Sequence, residues 1–538
     1  MKKSSLTARA IPFLLAALGQ ACSCEPPPSP LPTTRIDSGF TMEDHAFRFA
    51  NFGGNSAKSR INEELLVRLH GKEAVCKGDS ATCKLRPVAK EYMKSVNEAM
   101  RGGRCEGFAL LAGHLYKGDV MPDELGGEVA AAMDIDDNRP LGSEIAYWFM
   151  TQYLRDVVAT STSVLGAESA IRALAESFSQ ESPTMYRLGI ARIDENGRLT
   201  GGHAVLPIAV GPGTAEGQYI IYLYDNNYPG EERQLHVNTK LGEWRYEASI
   251  NPEECSAVYV GNADNGNPLY LAALEPRLGR HPCAFCDEGT GEAAMQQVFG
   301  SAGVEVTVAD ESGNVAGERQ GRIYTDIPGS SVSPVFSAEN VQDDTSVVVN
   351  VPEGEVSVRV APSGTKAQEE DQEVHLFSDA VSVTIANLDL EEGEEGNLDV
   401  DPESNGVRYE PPFDDQEQST LDGGQIVTVN ITTASGEEIQ IEITIPEEGC
   451  DELSIAIDEE SGNPVIEVDL DDDGDPSDEE TVAVKITISD GDGEREDVFT
   501  GQVPVSDDGS TEILVDEWEG DGSEMGVNID TDGDGAPD

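Results

Sequence analysis

The sequence predicts an α+β domain followed by all-β acidic modules, and three observations carry that prediction. Charge is partitioned: residues 301–538 hold 64 Asp and Glu against 7 Lys and Arg, whereas residues 1–300 hold 38 against 28. Almost all of the net charge of −67 therefore belongs to the second half. Aromatic residues divide the other way, 24 before position 301 and 7 after it, so only the first half can fill a deep core with large side chains. Apolar spacing changes as well: it is helical over 90–100, 144–159 and 167–179, and has period two after residue 300. A chain of 538 residues has room for about three domains.

The N-terminus carries Lys2 and Lys3, an apolar run from Ala10 to Leu18, and then Gly19-Gln20-Ala21-Cys22. That is the layout of an export signal over residues 1–22, and the run is too short to span a bilayer. A Cys after a small residue at this place resembles a bacterial lipobox, which implies Cys22 as the lipid-bearing anchor of an exported cell-surface or periplasmic protein. Cys24 and an ordinary secretory signal are the alternatives. Residues 23–39 include Pro26-Pro27-Pro28-Ser29-Pro30-Leu31-Pro32, which favours extended polyproline II and reads as a tether.

Chemistry concentrates in residues 40–290. Gly102-Gly103 interrupts the chain before Cys105, and Phe108, Leu111, Ala112 and Leu115 then recur at helical spacing, placing the thiol in a first helical turn. There the positive end of the helix dipole favours a thiolate. His114 falls about half a turn away on the opposite face of that helix and is a poor partner. His203 opens the apolar run Ala204-Val205-Leu206-Pro207-Ile208-Ala209-Val210, a buried strand, so its imidazole can face a cleft. Asp225 ends a second strand, Tyr219 to Tyr224, where its carboxylate could orient the imidazole, although Asn226 or Asn227 could serve instead. The set reads as nucleophile, base and orienter: Cys105, His203 and Asp225.

This order of residues resembles the papain-like cysteine peptidase superfamily over about residues 40–260. Gly103-Arg104-Cys105-Glu106-Gly107-Phe108-Ala109 is similar to transglutaminase-like domains and to cell-wall peptidases of the NlpC type. The resemblance implies an α+β papain-like domain that cleaves or transfers an amide bond in a peptide or cell-wall substrate. No Gln stands a few residues before Cys105, so the backbone N–H of Cys105 and a neighbour are the oxyanion donors that remain.

After residue 300, alternation as in Val304-Glu305-Val306-Thr307-Val308 indicates β-sandwich modules over 301–388 and 421–520, separated by an acidic linker at 389–420 and followed by an acidic tail at 521–538. The clearest hairpin pairs 426–431 with 439–445. Asp469, Asp471, Asp473, Gly474, Asp475 and Glu480 have the spacing of a calcium loop, flanked by strands and read as an acidic loop on a hairpin. Asp530, Asp532 and Asp534 resemble a thrombospondin type-three repeat. Calcium is the expected structural cofactor, with affinity on the order of 10⁻⁴ to 10⁻³ M. So negative a surface excludes nucleic acid, and leaves the lipid anchor as the only expected membrane contact.

Of the nine cysteines, Cys76 and Cys83 are expected to pair, and Cys283 and Cys286 are structural, as a tight disulfide or half a zinc site. The sequence thus points to an exported thiol enzyme with calcium-stiffened β spacers. The alternative is a surface adhesion or display protein with a degenerate papain-like domain.

Overall fold

The computed structural model describes residues 29–530 apart from 55, 79–81, 162–163, 194–198, 248–257, 262–268, 287–293, 338–344, 364–371, 389, 391–392, 403, 413–423, 434–437, 446–451, 458–462, 470–479, 490–495, 506–509 and 515–525. Seven α-helices come first: α1 (Glu63–His70), α2 (Lys72–Val75), α3 (Pro87–Ala99), α4 (Cys105–Lys117), α5 (Arg139–Met150), α6 (Arg155–Ser161) and α7 (Ala167–Phe178). Strands then take over. With β1 (Ile36–Asp37) and β2 (Val164–Leu165), the strands β3 (Tyr186–Ile193), β4 (Leu199–Pro212), β5 (Gln218–Tyr224), β6 (Glu232–Asn238), β7 (Glu243–Glu247), β8 (Val258–Gly261) and β9 (Leu269–Ala273) build one sheet. Its order is β2-β9-β3-β4-β5-β6-β7-β8, with β1 also paired to β4.

Strand accounts for 43% of the structure and helix for 23%, which corrects the expected α+β papain-like domain followed by β modules. The molecule is mostly β, with three large antiparallel sheets after a small helical region. The short strands β6 and β7 escaped the sequence reading because charged residues fill their outward positions. Glu232, Gln234 and His236 alternate with Leu235 and Val237 in β6, and only the latter two are buried. Such a strand exposes one face to water and reads as a polar loop when its partners are unknown.

Beyond residue 295 the chain forms a nine-stranded and a ten-stranded antiparallel sheet whose inner side chains belong to one apolar cluster. The two expected modules are not separate, since Val381–Leu388 pairs directly with Gln425–Thr432 inside one sheet. Residues 389–420, expected as a linker, contain the paired strands Gly396–Asp401 and Gly406–Glu410. There Leu398, Val400, Val407 and Tyr409 face the core while Asp399, Asp401 and Arg408 face outward, so the charges that suggested a linker form the solvent side of a sheet. The hairpin expected at 426–445 is present, in register from Gln425↔Ile445 to Thr432↔Glu438.

The strands flanking the acidic run at 469–480 correct another expectation. Pro464–Asp469 lies in the ten-stranded sheet and Glu480–Ser489 in the nine-stranded one, so the run crosses between sheets and does not close a hairpin. Asp471, Asp473, Asp475, Asp532 and Asp534 lie outside the described residues, as does Cys22, and Asp469, Glu480 and Asp530 are described only as strand ends.

Part of the expected tether is docked. Ile36 pairs with Val210, the Arg35 guanidinium binds Glu232 at 2.8 Å and lies 4.0 Å over the Tyr222 ring, and Ser29 donates to Glu176 at 2.6 Å. Disulfides join Cys76 to Cys83 and Cys283 to Cys286, which settles the second pair as a disulfide, and Cys105 is a free, buried thiol. No helix among the described residues is long and apolar enough to cross a membrane.

Candidate active site

Helix α4 is buried on every side from Cys105 to Leu115, which a surface helix never is. Glycine makes this possible. A Cβ at Gly107 would stand 2.1 Å from the carbonyl oxygen of Ile145, so only glycine lets α4 and α5 cross this closely. The start of the helix is held from outside by Asn51, whose side-chain oxygen accepts the Arg104 N–H at 2.7 Å. Arg104 is itself buried, its guanidinium donating to the carbonyls of Phe52, Ser59, Met100 and Gly54. Its charge is thus satisfied by backbone dipoles, with Cys105 next along the chain.

Sheet strands bring up the other two residues. The N–H of Ala204 donates to the Cys105 sulfur at 3.3 Å, because β4 lies alongside the beginning of α4. His203 precedes Ala204, and its Nε2 contacts the Asp225 Oδ1 at 2.8 Å. Nδ1, the other ring nitrogen, is buried and meets no group at normal hydrogen-bond geometry, while the Cys105 sulfur acts electrostatically on the ring. The sulfur, the imidazole and the carboxylate of the three residues expected to act together are thus linked through β4: Ala204 holds the sulfur, and its neighbour His203 holds Asp225.

Burial opposes a charge on His203, but the Asp225 carboxylate and the Cys105 sulfur outweigh it and push the imidazole up to about 10. Burial likewise opposes ionisation of Asp225, yet His203, the Tyr246 hydroxyl and the Asn227 N–H together hold its carboxyl below the usual range. Tyr246 Oη donates to Asp225 Oδ2 and the Asn227 N–H donates to Oδ1 at 2.8 Å. Hence Asp225, and neither neighbouring Asn, is the residue on the imidazole. Asn226 has a separate part: its amide donates to the carbonyls of Cys105 at 3.1 Å and Ala204 at 3.0 Å, fastening helix to strand at the site.

No known family model, curated protein or solved structure matches this chain. Function must be read from the site.

Five residues at the site were not expected from the sequence: Asn51, Gln152, Arg187, Tyr246 and Arg277. The Glu106 carboxylate, one residue after the thiol, receives Arg187 Nε at 3.0 Å and Arg277 at 2.8 Å, and all three side chains are fully buried. Burial and the neighbouring Arg187 push Arg277 down to about 10 despite the pull of Glu106. Arg187 was detectable in principle, as one of two charges, with Arg192, that bracket the apolar stretch Leu188-Gly189-Ile190-Ala191. His114, rejected as a partner, is hydrogen bonded to Asp119 at 2.9 Å and stacked 3.9 Å from Trp148.

The site is closed. Cys105 and Asp225 are completely buried and His203 is 2% exposed. The sulfur belongs to the apolar cluster of the acidic half, together with Tyr270 and Phe336, and not to the core of its own helical region.

Proposed function

We propose that the chain is an exported thiol enzyme that cleaves or transfers an amide bond through Cys105, His203 and Asp225. One observation carries this reading: a free, buried thiol at a helix start accepts the Ala204 N–H, directly beside the Asp-bound imidazole of His203. Cys105 would give its proton to His203 Nδ1 and attack the substrate carbonyl as thiolate, forming a C–S bond. The first-turn N–H groups of α4, which have no acceptor inside a helix, would be the oxyanion donors. Collapse would break the C–N bond as His203 passes that proton to the leaving amine. Water or a second amine would then attack the thioester carbonyl, losing its proton to His203; the C–S bond would break to release the acyl product, and His203 would return the proton to the departing thiolate.

The test is the rate of Cys105 alkylation by iodoacetamide at neutral pH, which His203→Ala should slow several-fold. Equal rates for both proteins would refute the reading. The sealing of Cys105 supports a second one, a non-catalytic adhesion or display protein, for which those equal rates are expected.

The two disulfides suit an oxidising compartment and support export. Lipid attachment at Cys22 would be shown by metabolic labelling with a fatty acid that Cys22→Ala abolishes. Calcium in the acidic runs around Asp471 and Asp532 is proposed on residue spacing and on the charge of −67.

A further inference from the structure

The segment 335–337, whose Phe336 shares the apolar cluster of the Cys105 sulfur, has the geometry of an occupant. Val335, Phe336 and Ser337 follow the strand Ser331–Pro334, with the Val335 N–H still donating to the Ser346 carbonyl at 2.8 Å. Ser337 lies against Gly102 at the entrance to α4, its hydroxyl 3.1 Å from where a Cβ would be. The Phe336 ring lies on two glycines of adjacent strands: a Cβ on Gly189 would be 2.3 Å from the ring, and one on Gly202 would be 3.1 Å away. Gly189 is directly opposite Ala204, whose N–H holds the Cys105 sulfur, and Gly202 is on the same face of β4 as Ala204. The floor of the slot is therefore glycine, where any side chain would fill it.

Its walls select an aromatic ring. The Arg187 guanidinium stands 4.6 Å over the ring centroid, the Tyr270 ring meets it edge-on at 5.8 Å, and Gln152 Oε1 accepts the Phe336 backbone N–H at 2.8 Å. A cation above the face and a ring at the edge are the two arrangements an aromatic quadrupole favours. A backbone acceptor beside them reads an extended peptide.

We propose that this slot is the specificity pocket for an aromatic residue next to the amide under attack, and that Phe336 is a built-in substrate mimic which withdraws before the enzyme can act. The proposal rests on the reading of Cys105 as nucleophile. Withdrawal is feasible because Ser331–Pro334 is the terminal strand of its sheet, paired on one side only with Val347–Pro352. Lifting it breaks one ladder and leaves the remaining eight strands joined.

Full-length protein would be treated with iodoacetamide and with two chloromethyl ketones, N-acetyl-phenylalanyl and N-acetyl-alanyl, and modification of Cys105 followed by intact mass. In the wild type all three should react slowly. In Phe336→Ala the iodoacetamide rate should rise at least tenfold, and the phenylalanyl probe should outpace the alanyl probe at least tenfold. Adding Gly189→Val should bring that ratio near one. Should Phe336→Ala fail to fold, Phe336→Leu, which keeps apolar bulk, should still raise the iodoacetamide rate several-fold. An unchanged rate in the folded variant overturns the mimic, and a fast rate without phenylalanyl preference overturns the slot. If His203→Ala leaves the Phe336→Ala rate undiminished, the nucleophile reading itself falls.

Discussion

His203 carries the pH behaviour of the site. Its folded pKa of about 10 exceeds the value near 6.5 expected in an unfolded chain, so its stabilising contribution is whole below about pH 6.5 and is lost as pH rises toward 10. Asp225, held low, works in the opposite sense: its contribution is whole above about pH 3.9 and fades on acidification. Urea midpoints should therefore peak in mildly acidic solution, with His203→Ala flattening the alkaline limb and Asp225→Asn the acidic one. A second expectation concerns Tyr246, whose hydroxyl donates to the buried carboxylate. Tyr246→Phe should cost roughly 1.5–3 kcal/mol in urea denaturation, the usual worth of a hydrogen bond to a charged group. The three candidate site residues were legible in sequence because each sits at a recognisable boundary, a helix start, a strand start and a strand end. Tyr246 and Arg277 were not, because nothing in their neighbourhoods reveals a partner many residues away.

Helix α4 depends on its glycines. Gly107→Ala would drive a methyl group into the Ile145 carbonyl, and overpacking of this kind costs about 1–3 kcal/mol, read as a lowered thermal midpoint together with slower Cys105 alkylation. Glu106→Gln should be harsher, about 3–5 kcal/mol, because two buried guanidinium groups would lose the carboxylate between them. Helices α3, α5 and α7 were visible in sequence from their spacing, since an amphipathic or apolar face is a local property. Strands β6 and β7 were hidden by their charges, and the strands at 396–410 by theirs.

The two halves of the molecule are chemically unlike yet share the candidate site, since the free thiol belongs to the apolar cluster of the acidic sheets. Further links reinforce that contact: Arg86 and Lys77 reach Glu438 at 2.5 and 3.5 Å, and Tyr92 packs edge-on to Phe377. The acidic half should respond to calcium beyond simple screening. At 10 mM calcium a site of the expected affinity adds about 1.4–2.7 kcal/mol, so full-length protein should melt at a higher temperature than in sodium chloride of equal ionic strength. Equal melting temperatures would exclude calcium as its cofactor.

The sequence was sufficient for what depends on near neighbours: the charge division, the main helices, the 426–445 hairpin, and the selection of Cys105, His203 and Asp225 as candidates. It could not order the sheets, join the two β modules, or reveal that Phe336 shares an apolar cluster with the thiol. Those properties depend on which distant segments compete for the same apolar surface. Period and composition describe a strand's own two faces, whereas the partner that buries each face is chosen only when the whole chain packs.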